Sequence, residues 1–168
     1  MIVIGIDPGL TGAVAFVDHN GLRAVRDLPT MPIEGVGPAA TVQREIDPVA
    51  LRDLLRACVP ADEDVIAVVE HAPAMGISRD GGPQRGMQAQ VSLAATKATI
   101  GTVLRLVGIP VRRVAPQTWK RFYGLGAEKK RGLELARQFY PCDDIRLVKH
   151  HNRAESALIA RYGLKLFA

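Results

Sequence analysis

The sequence has few cysteines and no long apolar segment free of charge. Its two cysteines, Cys58 and Cys142, are far apart and fit no metal-binding or redox spacing. This excludes a disulfide scaffold and favours a reducing compartment. No window of about 18 residues is both apolar and uncharged, so no transmembrane helix is predicted. The apolar start has no basic region before it and contains Asp7, so no signal peptide is predicted. We therefore expect a soluble, cytoplasmic protein without a membrane partner.

Acidic residues are outnumbered, and the basic ones are concentrated in one segment. The chain carries 22 Lys and Arg against 17 Asp and Glu, a net charge of +5. Residues 97–137 contain ten basic side chains and two acids, a net charge of +8, so the remainder has a net charge of −3. A basic segment on a slightly acidic body favours an anionic polymer as partner, with nucleic acid first, although a solvated basic face would have the same composition.

The length of the chain excludes large architectures. A chain of 168 residues supports one domain, spanning 1–168, and is too short for a two-lobed kinase-type ATPase or a (β/α)8 barrel. Apolar residues make up 48% and charged residues 23%, a balance that excludes wholesale disorder.

Hydrophobic periodicity and turn signals predict an α/β protein with a mixed five-stranded sheet. The predicted strands are 2–7, 12–17, 22–28, 65–69 and 111–114. The predicted helices are 48–58, 87–107, 116–123, 127–140 and 149–162, the last ending at Gly163. Residues 29–46 and 71–86, rich in proline or glycine, are predicted to be loops. We expect the first three strands to form an antiparallel meander, the other two to run parallel to its first strand, and helices to cover both faces.

Two acids stand at the ends of predicted buried strands. Asp7 ends the first strand and Glu70 follows the fourth. Because parallel strands bring their carboxyl ends to one edge of a sheet, we expect the two carboxylates to lie close together. Two nearby carboxylates repel each other unless a divalent cation lies between them. Each also has a structural interpretation, since Asp7 could cap a turn and Glu70 could point to solvent.

A third acid belongs to the last predicted helix. Glu155 lies one turn after His151 and three residues after Asn152, so the three can share a face. Acids from two strand ends and one helix could hold a pair of Mg²⁺ ions and cleave a phosphodiester. An ordinary surface charge would explain Glu155 equally well.

Four segments, in this order, resemble the RuvC-type Holliday junction resolvases, and most of all their phage and prophage members. They are Ile4-Gly5-Ile6-Asp7-Pro8-Gly9-Leu10-Thr11-Gly12-Ala13, Val68-Val69-Glu70, Ala115-Pro116-Gln117-Thr118-Trp119-Lys120 and Arg153-Ala154-Glu155-Ser156-Ala157. The resemblance implies an RNase H-like fold, a homodimer, and Mg²⁺-dependent cleavage of four-way or other branched DNA in a bacterium or a phage-infected cell. It also implies that Mn²⁺ can substitute for Mg²⁺, with two ions per site.

By family position, Asp7, Glu70 and Glu155 match the metal-binding acids. The family motif usually ends in Asp and carries another Asp or His about one turn earlier, whereas Glu155 and the neutral Asn152 stand here. His151 is therefore the candidate for the fourth position, with His150 and Asn152 as alternatives.

The resemblance also assigns the partner surfaces. The helix at 87–107 would form the dimer interface. Lys120 matches a position near the scissile phosphate, and Trp119 before it is expected in the core. Further phosphate contacts are expected from basic residues near the site. These are Arg79, Arg85, Arg113, Arg121, Lys129, Lys130 and Arg131. The loop after Glu70 has no aromatic residue to open a junction, only Met75 and Ile77.

Two other functions fit the same residues. An RNase H-fold nuclease acting on RNA or RNA–DNA hybrids would use the same acids. A junction-binding protein without catalysis would explain the missing fourth acid. The three differ in whether they cut, and in which nucleic acid they cut.

Overall fold

Five strands come first in the chain, two further strands alternate with helices, and the last part is helical. The computed structural model describes residues 1–33, 43–71, 85–126 and 129–167, with the backbone alone for 85–88 and 129. The strands are β1 (Ile2–Asp7), β2 (Ala13–Asp18), β3 (Gly21–Asp27), β4 (Thr30–Ile33), β5 (Gln43–Ile46), β6 (Val65–Glu70) and β7 (Val111–Val114). The helices are α1 (Pro48–Cys58), α2 (Arg85–Leu106), α3 (Pro116–Phe122), α4 (Lys129–Phe139) and α5 (His151–Phe167).

Five strands form one mixed sheet in the order β3-β2-β1-β6-β7. β1, β2 and β3 pair antiparallel, while β6 runs parallel to β1 and β7 parallel to β6. β1 is buried almost throughout, because helices pack on both of its faces. The predicted meander, the parallel strands and the helices on both faces are confirmed.

The prediction of a loop over 29–46 is wrong at both ends. β4 and β5 form a small antiparallel sheet in which Thr30 pairs with Ile46 and Pro32 with Arg44. Pro32 is tolerated because a two-stranded sheet consists of edge strands only. The Arg44 guanidinium also donates to the Thr30 hydroxyl and carbonyl, at 2.9 and 2.7 Å. The pairing joins two short segments across residues outside the described part, so no local pattern predicts it.

Two predicted helix boundaries are also wrong. α5 does not end at Gly163 but continues to Phe167. A Cβ at Gly163 would lie 2.5 Å from Cγ2 of Val68 and 2.8 Å from Cγ1 of Val3, so this glycine allows close packing instead of ending the helix. At the other boundary, Arg85 begins α2 and does not belong to the preceding loop.

The core lies in two layers, one on each face of the sheet. α3, α4 and α5 pack on one face, where Trp119 and Leu158 are fully buried. α1 and α2 pack on the other face, where Leu51 and Leu104 are fully buried. Asp47 caps α1 as predicted, accepting from two backbone N–H groups at 2.9 and 3.0 Å. Among the described helices, none is long and apolar enough to cross a membrane.

Candidate active site

One row across the sheet places the two predicted strand-end acids side by side. Asp7 pairs with Ala13 on β2, and Ala13 pairs in turn with Asp27 on β3. On the other side of β1, Ile6 pairs with Val69, so the next step of this register brings Asp7 opposite Glu70. Neighbouring strands lie about 4.8 Å apart. The expectation that Asp7 and Glu70 come together at one edge is therefore met at the backbone level.

Strand alternation directs both acids toward the same face. Val3 on β1 and Val68 on β6 belong to the core layer beneath α5. Because successive side chains alternate between faces, Asp7 and Glu70 share that face with them. Both acids are half-buried. The site consequently opens on the α5 side of the sheet, at the carboxyl ends of its central strands.

The chain brings α5 to this face through unusually close backbone contact. A Cβ added to Gly5 would lie 2.1 Å from the carbonyl oxygen of Ser156 and 2.3 Å from the amide nitrogen of Ala160. Ala154 and Ala157 are fully buried, as predicted, and their small side chains permit the same approach. Glu155 lies between them in the sequence, directly before Ser156, whose carbonyl lies against Gly5. The third acid thus reaches the strand ends because the helix lies directly on β1.

The turn that carries Asp7 has no room for a side chain at Gly12. A Cβ there would lie 2.1 Å from the carbonyl oxygen of Asp7 and 2.7 Å from the amide nitrogen of Gly9. The Gly12 N–H also donates to the Gly9 carbonyl at 3.0 Å, closing the turn. Gly12 is therefore explained by the tight return of the chain into β2.

Two consecutive residues of α3 hold two of the acids. The indole N–H of Trp119 donates to Oε2 of Glu70 at 2.8 Å. The ammonium of Lys120 lies 3.2 Å from Oε1 of Glu155, whose side chain is only 13% exposed. Trp119 is fully buried, as predicted from the sequence, but its hydrogen bond to an acid of the site was not predicted. Nothing in the local sequence indicates it.

The electrostatics of Glu70 show that the site is a crowded cluster of charges. Burial raises the pKa of Glu70, and the negative charge of Glu155 raises it further. The hydrogen bond from Trp119 and the positive charges of Lys120 and Lys97 act in the opposite direction. Glu70 and Glu155 are therefore near enough to interact, although they come from different elements.

The donor set suits a hard divalent cation, without forming a closed cage. Within the described part of the chain, no three His, Cys, Asp or Glu side chains lie close enough together to hold a metal ion. Mg²⁺ does not need such a cage, since it is usually held by one or two carboxylates together with water and substrate phosphates. Asp7 and Glu70 in adjacent register positions provide two such carboxylates. The residues thus fit Mg²⁺, and Glu155 is a further carboxylate near Glu70.

The three candidates for the fourth position lie together at the start of α5. His151 is its first residue and stands one turn before Glu155. Nδ1 of His150 accepts from the Leu147 backbone N–H at 3.3 Å, and Nδ2 of Asn152 donates to the Thr11 carbonyl at 2.5 Å. His150 thus contacts the preceding turn and Asn152 contacts the turn after β1, and His151 stays the candidate.

A second pair of charges fixes α5 at the β3 end of the same row. Arg153 donates from Nε and Nη2 to the two carboxylate oxygens of Asp27, each at 2.6 Å. Such a two-bond geometry sets direction as well as distance. The Asp27 pKa is lowered by this hydrogen bond and by the Arg153 charge. The contact spans 126 residues and was not predicted, because the motif gave Arg153 no partner.

The predicted DNA-contacting residues differ in their exposure and in what they contact. Lys120 is engaged with Glu155, whereas Arg121 on α3 and Arg131 on α4 are exposed. Lys130 is 84% exposed, with only a 3.8 Å contact to Glu134. Arg113 is exposed on β7 and pairs with Val69, next to Glu70. Arg79, with Met75 and Ile77, lies outside the described residues, as do the side chains of Arg85 and Lys129.

A groove of about 1050 Å³ runs between α2 and the edge strand β7, beginning beside the site. Its walls are mainly apolar, formed by residues such as Leu93 and Ile109. Its cationic residues are Lys97, Arg105, Arg112 and Arg113. α2 also exposes two large apolar side chains, Val91 at 58% and Leu106 at 78%. One side of α2 therefore has no partner among the described residues of the chain.

Solved structures of known proteins share this architecture. A structure of Thermus thermophilus RuvC matches 99% of this chain and 96% of its own, with a TM-score of 0.57 and 15% identity. A structure of T. thermophilus RuvC in complex with Holliday junction substrate matches 99% and 97%, with a TM-score of 0.58 and 14% identity. The chain has a RuvC-like fold. This confirms the RNase H-like α/β architecture expected from the sequence.

The likeness to RuvC is one of structure and not of detailed sequence. No family model matches the chain. A search of curated proteins likewise gives no match. The fold is shared over nearly the full length of both chains.

Proposed function

We propose that this protein is a Mg²⁺-dependent endonuclease that cuts four-way or other branched DNA. The observation that supports this best is the adjacent register of Asp7 and Glu70 at the carboxyl ends of β1 and β6, with Glu155 near enough to Glu70 to raise its pKa, on a RuvC-like fold. One of the two RuvC structures is bound to Holliday junction substrate, which is the reason for preferring branched DNA to other nucleic acids.

In this proposal each residue has a distinct task. Asp7 and Glu70 hold Mg²⁺, and Glu155 completes the set. Bound Mg²⁺ would activate water and stabilise the leaving oxygen of a phosphodiester. Lys120 neutralises Glu155 in the absence of metal and is placed to move to a substrate phosphate. His151 accepts or delivers a proton beside Glu155. Two ions per site and replacement by Mn²⁺ are part of the proposal.

Cleavage of a synthetic four-way junction tests this function. We expect Asp7→Asn to lose at least about a thousandfold in rate, because removing one carboxylate weakens the transition-state charge stabilisation by several kcal/mol. Asp53→Asn is the matched control, since Asp53 lies on α1 and pairs with Arg52 at its surface. Wild-type cleavage by the Asp7→Asn protein would refute the proposal.

Two further substrates separate the alternatives. Faster cleavage of an RNA–DNA hybrid than of the junction would support the alternative of a nuclease that acts on RNA or hybrids. Junction binding without cutting, across a titration of Mg²⁺ and Mn²⁺, would show a non-catalytic binding protein. Duplex DNA of the same length measures how much of the affinity depends on branching.

Phosphate contacts are proposed for the exposed basic residues around the site. Replacing Arg121, Lys130 or Arg131 with Ala should weaken junction binding and lower the slope of log affinity against log salt by about 0.9 per lost contact. Arg56→Ala on α1 is the control. An unchanged slope for all three variants would place the DNA elsewhere.

A homodimer through α2 is also proposed. The exposed Val91 and Leu106 and the apolar groove beside β7 support it, because an apolar face of this kind is usually covered. Leu106→Glu should shift the protein to monomer in sedimentation experiments. Val49→Glu on α1, where Val49 is 55% exposed, is the control. A wild-type monomer at high concentration would refute this interface.

A further inference from the structure

The chain contains a single tryptophan, and it lies at the candidate site. Trp119 has no exposed surface and packs in the core layer with Leu133, Leu158 and their neighbours. A buried indole N–H needs an acceptor, since it is a donor only. Its acceptor here is Oε2 of Glu70, at 2.8 Å, and not a backbone carbonyl.

This hydrogen bond joins a rigid group to a mobile one. The indole ring is fixed by packing on all sides, so its N–H has one direction. A carboxylate on a glutamate side chain can otherwise rotate about several bonds. The bond therefore sets both the position and the rotation of the Glu70 carboxylate.

The neighbouring contact from α3 differs in kind. Lys120 is 28% exposed and reaches Glu155 with a flexible side chain, so its ammonium can leave when a phosphate or a cation arrives. Trp119 has no such freedom, because leaving Glu70 would strand a buried donor. The contact of Lys120 with Glu155 can therefore be replaced by another, whereas the hydrogen bond of Trp119 to Glu70 stays in place.

We propose that Trp119 is a positioning residue whose indole N–H holds the Glu70 carboxylate in the orientation that binds the divalent cation. The inference rests on the proposed function, since it assigns Glu70 to a metal. It differs from a purely structural role, in which the ring would only fill the core. Hydrogen bonds to metal ligands commonly change metal affinity by 10–100-fold.

The hydrogen bond can be tested first without metal or DNA. With one tryptophan, a ¹⁵N–¹H spectrum shows one indole N–H resonance. We expect slow hydrogen exchange in the wild-type protein, and a large chemical-shift change in Glu70→Gln, where a neutral acceptor replaces the carboxylate. A rapidly exchanging resonance that does not move in Glu70→Gln would overturn the proposal.

The consequence for metal is tested with an isostere. Replacement of Trp119 by 3-benzothienylalanine keeps the shape of the ring system but replaces N–H by sulfur. We expect Mn²⁺ affinity, measured calorimetrically without DNA, to fall about tenfold. Trp119→Phe should also weaken Mn²⁺ binding, and thermal melting shows whether each variant is folded.

A matched control separates positioning from general loss of core packing. Tyr123→Phe removes a hydrogen bond in the same core layer, from the Tyr123 hydroxyl to the Leu158 carbonyl at 3.1 Å, without touching Glu70. It should bind Mn²⁺ like the wild type. Equal Mn²⁺ affinity in the wild type and a folded isostere would overturn the inference and leave the proposed nuclease intact. A wild-type protein that neither binds Mn²⁺ nor cuts DNA would overturn both.

Discussion

The helices on the two faces of the sheet contact it through residues of different size. On the α5 face, α5 itself approaches the strands through glycine and alanine, with Gly5 and Gly163 lying against backbone or side chains that leave no room for a Cβ. On the α1 and α2 face, contact is made by large aliphatic and aromatic side chains such as Ile4 and Phe16. On the α5 face the backbones of helix and strand lie close together, whereas on the other face large side chains separate the helices from the sheet.

The α5 face positions the acids of the candidate site, and the opposite face supports the sheet. Every acid of the candidate site lies on the α5 face or on α5 itself, where small residues fix the helix directly on the strands. The opposite face is packed by α1 and α2 and contributes none of the three acids. Changes on the two faces should consequently have different signatures.

The largest effect is expected from Gly5→Ala. The new Cβ would lie 2.1 Å from the Ser156 carbonyl, and backbone on both sides cannot move without displacing α5. We expect a loss of about 4 kcal/mol or more in the free energy of unfolding, above the usual range for overpacking. Urea denaturation measures it.

Gly132→Ala is the control for that substitution. The nearest atom to a Cβ at Gly132 is Cδ1 of Leu125, at 3.9 Å, which is ordinary contact. Because alanine favours helix over glycine by about 1 kcal/mol, this variant should be as stable as the wild type or more so. Similar stability of the Gly5 and Gly132 variants would contradict the close approach of α5.

A cavity on the opposite face should cost stability and spare the site. Ile4 is fully buried beneath α1 and α2, so Ile4→Ala is expected to lower the free energy of unfolding by about 3 kcal/mol. Mn²⁺ affinity of the folded variant should be unchanged, because the acids lie on the other face. If Mn²⁺ binding weakens in parallel with stability, the two faces are not separable.

The smallest effect on stability is expected from the ion pair between Asp27 on β3 and Arg153 on α5. Asp27→Asn should lower the free energy of unfolding at pH 7 by about 0.5 kcal/mol, as Asp27 is 63% exposed and water screens its attraction to Arg153.

This difference should depend on pH in one direction. The folded pKa of Asp27 lies below its ordinary value of 3.8, so its charge stabilises the fold above that value. The stabilisation is lost as the pH falls through the folded pKa. Thermal melting of both proteins from pH 7 downward should show the two curves converging below pH 3.8. A difference that persists in acid would assign the effect to something other than this charge.

Much of the architecture was predictable from local patterns. Runs of β-branched residues predicted the central strands, Asp47 and Pro48 marked the start of α1, and the two strand-end acids were expected at one edge of the sheet, where the register places them side by side. The predictions were wrong where a residue is required by a contact with a distant part of the chain. Gly163 indicates a helix end by itself, but in the fold it faces Val68 and Val3.

The sequence by itself determined the order of the five helices and of the five strands in the main sheet, and the type of residue at each strand end. The tertiary structure alone decided which of those residues meet. Trp119 finds Glu70 across 49 residues, and Arg153 finds Asp27 across 126. Local patterns reflect interactions between near neighbours in the chain, whereas these contacts depend on sheet register and on how closely α5 packs. The acids could therefore be named from the sequence, but not the groups that hold them in place.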